Sequence, residues 1–363
     1  MIVYLLGAFV ISTICGLVFT PLILNFCKKK RLYDIPNERK VHKNAIPRLG
    51  GISFFPSVMV AFAIQLIYFS ITNRNDLPLN IWSAGFFFGL GILYSTGIVD
   101  DLIGLNASTK FVIQTIAALV LPLTGLYINN FYGLFGIYEI PAYIGMPLTV
   151  FIIVFIDNAI NLIDGIDGLA SGLSFLALCG FLAYFIHYQV YLHTYAVLAA
   201  GMLGVLVAFM WFNIFGKTEK NTKIFMGDSG SLSLGFTLGF LAIKCSMDNP
   251  ASWPTRPEAL LVPITLLFVP SIDVIRVIFY RIRHHHPLFD ADKNHIHHKL
   301  MKAGLTQHQA LCFVILMAVG YGVLNYLLYN VLSTTWIFIL DIIIYTTLNL
   351  GINMKLKKIE GSK

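Results

Sequence analysis

Apolar runs of roughly 20 residues recur along the whole chain, separated by short polar stretches. The runs are continuous rather than alternating, so they predict membrane-crossing helices and exclude a membrane β-barrel. The predicted spans are 2–26, 51–71, 81–99, 111–128, 144–160, 168–187, 194–212, 229–247, 259–280, 309–329 and 334–353. The expected fold is an all-α, polytopic helical bundle of about 10–11 transmembrane helices, forming a single domain over residues 1–363. Residues 129–143, with Gly, Pro and aromatics, read as a short hairpin between two spans. The first run lacks a basic leading segment and a small-residue cleavage site, so it is expected to stay as a span.

The polar breaks are not alike. Asp157 to Ala170 packs three carboxylates (Asp157, Asp164, Asp167) and two amides (Asn158, Asn161) between long apolar runs. At about 100° per residue, Asp157, Asn161 and Asp164 share a helix face. That much polarity beside a bilayer is costly unless something binds it. Composition sharpens the contrast. The chain is 57% hydrophobic and 12% charged, about half the charged fraction of soluble domains, which leaves no room for a separate soluble domain. Cys15, Cys27, Cys179, Cys245 and Cys312 are scattered with no Cys-x-x-Cys pair, and read as packing residues.

The net charge of +7 reflects topology rather than a nucleic-acid partner. Twenty-one of the 25 Lys and Arg residues fall in loops 27–50, 100–110, 161–167, 213–228 and 281–308 and in the tail 354–363. Basic loops stay cytoplasmic, so the N-terminus is expected outside and the C-terminus inside. Lys28-Lys29-Lys30-Arg31 suits anionic lipid headgroups on that side. Asp100, Asp101, Asp157, Asp164, Asp167 and Asp228 lie at or near helix ends on the same face. Acids in plain solvated loops would be scattered over both faces, so this face is the candidate site.

Each polar break suggests chemistry. Asp100-Asp101 ends a helix, where the dipole disfavours anions, so the pair calls for a cation or for a base. In Lys223 to Ser231, Gly and Ser flank Asp228 at a helix start, which suits an anion on the backbone, a metal on the acid, or a simple N-cap. Glu38 to Gly51 places cations before a Pro and a Gly pair, as a turn or a phosphate contact would. Asp273 and Arg276 stand three apart in a span, either as a structural pair or as support for the site. His295, His297 and His298 invite a zinc reading, but the Arg, Lys and Asp around them point to phosphate chemistry. Acids for Mg²⁺, cations for phosphates and Phe225 as a stacking plane suit a nucleotide sugar, and a membrane setting supplies a lipid as second substrate.

These motifs resemble the polyprenyl-phosphate N-acetylhexosamine-1-phosphate transferases. The matching residues are Arg48-Leu49-Gly50-Gly51 after Ile46-Pro47, Asp100-Asp101 with Lys110 and Gln114, and Asn158 to Ala170. Phe225 to Ser231 follows, then His295-Ile296-His297-His298 after Asp292. They occur in family order over residues 46–298. The resemblance implies a UDP-N-acetylhexosamine donor, most simply UDP-GlcNAc, and undecaprenyl phosphate as acceptor. The products would be UMP and an undecaprenyl-diphosphate sugar, the first membrane step of O-antigen, teichoic acid or related polysaccharides. It also implies Mg²⁺ (with Mn²⁺ as substitute), a bacterial cytoplasmic membrane with the site on the cytoplasmic face, and a homodimer.

By motif match, Asp100 is the base for the lipid phosphate, and Asp101 assists it or binds metal with Asp228. Asn158, Asn161, Asp164 and Asp167 fall on the nucleotide side, with Phe225 stacking on uracil. His295, His297 and His298 recognise sugar and diphosphate, with Arg48 and Lys110 as phosphate partners. The pentapeptide transferase of peptidoglycan synthesis is the alternative within the class. Its Pro-x-His-His-His pattern is not met here, since His284-His285-His286 precedes Pro287 and reads as a solvated basic run. A secondary transporter with an acidic ion site is the alternative from another class, but such sites lie near the midplane between repeated halves, and no repeat is seen.

Overall fold

The computed structural model describes residues 2–34, 45–71, 80–249, 256–287 and 294–361. The basic stretch Glu38 to Asn44 and the acids Asp290 and Asp292 lie outside the described residues. Twelve helices follow in order: α1 (Ile2–Lys30), α2 (Phe54–Ile71), α3 (Ile81–Ile103), α4 (Ala107–Leu123), α5 (Ala142–Ile163), α6 (Leu169–His187), α7 (Gln189–Ile214), α8 (Asp228–Ser246), α9 (Leu261–Arg283), α10 (Ile296–Lys302), α11 (Gln307–Leu328) and α12 (Thr334–Gly361). Two small antiparallel pairs accompany them: β1 (Tyr33–Asp34) with β2 (Ile46–Pro47), and the hairpin β3 (Asn130–Leu134) with β4 (Ile137–Glu139).

Each predicted span has its helix, and the expected hairpin is β3–β4. Among the described residues, nine helices are long and apolar enough to cross a membrane. The exceptions are α4, a shorter apolar helix, and α8. The reason for α8 is its position: Ser229 through Ser246 are all buried, so it faces protein and not lipid. Its small residues allow that enclosure. Gly235 packs on the Asp157 α-carbon of α5, and Gly239 packs on Ile153 of the same helix. Gly89 and Gly97 of α3 lie against Phe236 and Ser229. Close approach through small residues is how helices pack tightly where lipid gives no hydrophobic drive. The outer helices show the reverse pattern, with apolar side chains exposed on α1 (Leu6, Val10, Ile14) and α11 (Leu316, Val323).

Several helix ends differ from the sequence reading, and two of them matter for the site. Helix α3 runs on to Ile103, which brings Asp100 and Asp101 into its last turn. Helix α5 runs on to Ile163, so the central polar stretch is mostly helix and breaks only at Asp164. The short helix α10 forms inside the predicted loop 281–308.

Candidate active site

The site is built on a backbone crossing at the start of α8. The Phe225 N–H donates to the Pro47 carbonyl at 2.7 Å, and those of Gly50 and Gly51 donate to the Phe225 and Met226 carbonyls at 2.9 and 2.8 Å. A Cβ on Gly51 would fall 2.1 Å from the Gly230 α-carbon, so only glycine lets the two chains touch. Gly227 sits at φ 73°, a region L side chains avoid, and a Cβ there would strike the Arg48 carbonyl and the Asp101 carboxylate. Two motifs separated in sequence are thus the halves of one junction.

Asp101 and Arg48 brace that junction. Asp101 is buried and accepts the N–H groups of Asp228 (2.9 Å) and Ser229 (3.0 Å), one on each carboxylate oxygen. It therefore caps the otherwise unmatched donors at the α8 N-terminus. Arg48 Nε donates to the Asp101 carbonyl at 2.9 Å, and Nη2 reaches the Asp100 and Asp101 carbonyls. A guanidinium at the α3 C-terminus offsets the dipole that made the Asp pair costly. The sequence reading gives Asp101 to the metal and Arg48 to phosphate. Here Asp101 ties α3 to α8 through backbone N–H groups, while Arg48 ties the segment before Gly50 to the end of α3 and keeps Nη1 near Asp34, 3.9 Å away.

Asp100 and Asp228 instead turn toward a shared cation. Lys110 Nζ, from the first turn of α4, lies 2.8 Å from Asp228 Oδ2 and 3.3 Å from Asp100 Oδ2. The other Asp100 oxygen accepts the Leu105 N–H at 2.6 Å. Asn161 Nδ2 donates to Ser231 Oγ (2.8 Å) one turn into α8. Two carboxylates aimed at one positive point are the hard-oxygen set that Mg²⁺ takes, with phosphate oxygens completing its shell. The donor pair that fits is Asp228 with Asp100 rather than with Asp101. Among the described residues, no group of three or more His, Cys, Asp or Glu could hold a metal alone.

The central stretch divides in two. Asp157 is buried among α4, α5 and α8, and its Oδ2 accepts from Gln114 Nε2 at 2.9 Å. Asn158 Nδ2 donates to Gln114 Oε1 at 3.0 Å and to the Val154 carbonyl, which joins this expected nucleotide-side residue to the internal relay of Gln114 and Asp157. Asp164 and Asp167 sit beyond the end of α5. Burial, with the nearby carboxylates of Asp228, Asp167 and Asp101 adding to it, pushes the Asp164 carboxyl up to about 8. Asp167 pairs with Lys223 at 2.7 Å, and Lys223 also donates to the Asn213 carbonyl. The Asn213 side chain accepts from Gly168 N–H and donates to the Ile224 carbonyl, stitching the stretch to the segment carrying half-buried Phe225.

The histidines close the site from another side. A Cβ on Gly165 would lie 2.3 Å from His297 Nε2, so the imidazole edge rests on bare backbone beside Asp164. The His297 ring lies tilted against His298, with centroids 4.0 Å apart, and 5.9 Å from His295, nearly parallel to it. His297 is fully buried, and neither ring nitrogen has a hydrogen-bond partner among the described residues. Burial next to His298 and His295 pushes its pKa down to about 3, so the ring is neutral. Leaving such a group unmatched costs about 1–3 kcal/mol, which a bound ligand could recover. His284, His285 and His286 are exposed beyond the end of α9, apart from this cluster.

The chain is similar to known proteins over most of its length. A family model described as glycosyl transferase family 4 matches residues 83–246. A probable undecaprenyl-phosphate N-acetylglucosaminyl 1-phosphate transferase of Bacillus subtilis (strain 168) is 32% identical over 93% of this chain and 88% of its own length. The chain belongs to glycosyl transferase family 4. Undecaprenyl-phosphate alpha-N-acetylglucosaminyl 1-phosphate transferases of Yersinia pestis and Escherichia coli (strain K12) are 31% and 30% identical, over 79% and 83% of this chain and 74% and 78% of theirs. The stretch matched by the family model runs from α3 to α8. It holds the site from Asp100 to Asp228 and leaves Arg48 and the histidines outside.

The family motifs do not contain every residue that shapes the site. Lys223 stands just ahead of one, and its partner Asp167 lies in another, so charge complementarity alone could have paired them. Asn213 and Tyr345 carry no local signal, because their partners stand 45 and 72 residues away.

Proposed function

We propose that this chain transfers N-acetylglucosamine-1-phosphate from a UDP-sugar to undecaprenyl phosphate. The single observation that carries the proposal is Lys110 held between Asp100 and Asp228, in a chain whose relatives are named for this transfer. Asp228 and Asp100 would hold Mg²⁺, which would offset the charge of the donor diphosphate. Lys110 would then pair with phosphate oxygens as an exchangeable cation.

In this reading Asp100 would also serve as the base that takes the remaining proton of the lipid phosphate. An oxygen of that phosphate attacks the phosphorus bonded to the sugar. The new P–O bond forms as the bond to UMP breaks, and UMP leaves with the electron pair. A neutral Asp164 carboxyl can both donate to and accept from a ribose hydroxyl. Asp167 and Asn161 stand beside it, and Phe225 offers its ring to the uracil. The unmatched His297 nitrogens, with His295 and His298, would meet the sugar and diphosphate. The excess of Lys and Arg in the loops at this end supports a cytoplasmic site, on the side where nucleotide sugars are found.

The test is a donor panel on purified protein with undecaprenyl phosphate and Mg²⁺, reading UMP. Release with UDP-GlcNAc and none with UDP-MurNAc-pentapeptide is expected. The opposite preference, or no release with any UDP-N-acetylhexosamine, overturns the proposal.

A further inference from the structure

Asp273 of α9 is fully buried and gathers four donors on one carboxylate. Its Oδ2 accepts from His295 Nδ1 at 2.8 Å. Its Oδ1 accepts from Arg276 Nη2 (2.7 Å), the Ile296 N–H (3.0 Å) and the Tyr345 hydroxyl of α12 (3.0 Å). Arg276 also donates to the Asn294 carbonyl, and its Nε lies 3.4 Å from the Tyr345 oxygen. Both sides of His295 are thus held: its ring by Asp273, and the backbone before and after it by Arg276 and Asp273.

Such an arrangement does more than fasten a loop. A carboxylate only accepts, so the His295 Nδ1 must carry the proton, which leaves Nε2 as the second functional nitrogen. The fixed ring then sets the others. His295 lies nearly parallel to His297, His297 leans at a tilt on His298, and His297 rests on Gly165 beside Asp164. From the carboxylate and phenol of α9 and α12, an unbroken line of contacts reaches the central polar stretch.

We infer that Asp273, supported by Arg276 and Tyr345, is a positioning residue for the transfer: it fixes the tautomer and orientation of His295 and, through it, the imidazole platform that meets the donor's sugar and diphosphate. This rests on the proposed role of the histidine loop. Asp273 acts through His295, so the two residues form one functional unit, and their losses must not multiply.

The experiment is a double-mutant cycle on the full chain in micelles, with undecaprenyl phosphate, UDP-GlcNAc and Mg²⁺, and with melting curves to check folding. Asp273→Asn keeps the shape and removes the charge, and should lower kcat/KM by about 10–100-fold, the usual effect of losing a group that orients a ligand-binding histidine. His295→Ala should lose as much, and the double variant no more than His295→Ala alone. Asp273→Glu, which restores the acceptor, should recover part of the loss. A wild-type rate in His295→Ala overturns the loop reading and the inference together. An impaired His295→Ala with a wild-type Asp273→Asn, or with losses that multiply, overturns the inference alone. If Asp273→Asn does not fold, Tyr345→Phe removes one donor and no charge. Its loss of about 2–5-fold should vanish in the His295→Ala background, and an equal loss in both backgrounds overturns the inference.

Discussion

The two ends of α8 solve opposite electrostatic problems. The helix carries Asp228 in its first turn and Lys244 in its last, as its dipole favours. At the Asp228 end, charges face each other across a cleft, and the side chains of Lys110 and Asp228 each remain 25% exposed. At the Lys244 end, the ammonium is wholly buried, 3.6 Å from the Trp82 ring centre and 4.9 Å from that of Tyr195. Arg256, buried as deeply, donates to the Tyr184 hydroxyl and the Met247 carbonyl between the rings of Tyr184 and Tyr188. One end keeps charges that a ligand can exchange. The other encloses its charges in aromatic faces and carbonyls that no ligand replaces. The two ends of one helix thus differ in how completely each charge is enclosed, and the proposed chemistry belongs to the open end.

The comparison is tested most severely at its acidic end. Asp228→Asn or Asp100→Asn should cut UMP release by about 10³-fold, the scale of losing a group that acts on developing charge or on a proton. The melting temperature should hold or rise for Asp100→Asn, which relieves the repulsion between the two carboxylates, and should not rise for Asp228→Asn, whose charge Lys110 favours. A variant within about tenfold of wild type would remove these acids from the chemistry.

Lys110→Met sharpens the same point with a smaller loss, about 10²-fold in UMP release, as a phosphate donor is removed. Direct binding of Mn²⁺ alone, followed by its electron paramagnetic resonance signal, should become tighter, because the competing ammonium is gone. Weaker Mn²⁺ binding would mean that Lys110 does not compete for the place between Asp100 and Asp228.

The acidic end was legible in the sequence to the degree that its groups sit in short contiguous motifs. Asp100, Lys110, Asn161, Asp164 and Asp228 come together, as their common side of the predicted spans and the motif match led one to expect. What the residues do at that junction was less legible, because it depends on backbone. Asp101 looks identical to Asp100 in sequence, and only the adjacent α8 N-terminus separates a cap from a cleft residue. Arg48 gave no hint in sequence that its guanidinium also meets the α3 carbonyls. The spans themselves were plain from apolar runs, with helix ends extended by a turn where polar residues continue the helix into the site. The Lys244 end left no trace in sequence, since Trp82, Tyr195 and Lys244 are brought together only by the fold.

That basic end gives the control. Lys244→Met keeps the length of the side chain and should leave UMP release within about threefold of wild type. It forfeits a cation–π contact of about 0.5–2 kcal/mol, partly offset because a charge need no longer be buried. A fall of a few degrees in melting temperature is expected, at roughly 2–4 °C per kcal/mol. A loss of activity matching that of Lys110→Met would show that the two ends are coupled, and the separation along α8 would fail.

The smallest effect is a pH dependence confined to the acidic end. The folded Asp164 carboxyl titrates at about 8 because of burial and the surrounding carboxylates, against about 3.9 in an unfolded chain. Between those values the folded protein holds a proton that the unfolded chain has lost. Stability from this group is therefore fully present below about pH 4 and declines as pH rises toward 8. Asp164→Asn cannot ionise, so it escapes the decline. Its melting temperature should exceed that of wild type by a few degrees at pH 9, and the gap should narrow steadily toward pH 5. Lys244→Met, measured over the same range, keeps the Asp164 titration and should track the wild-type slope. A gap for Asp164→Asn that stays constant with pH would mean that the carboxyl is already ionised in the folded protein, and the acidic end would then be better matched than its geometry implies.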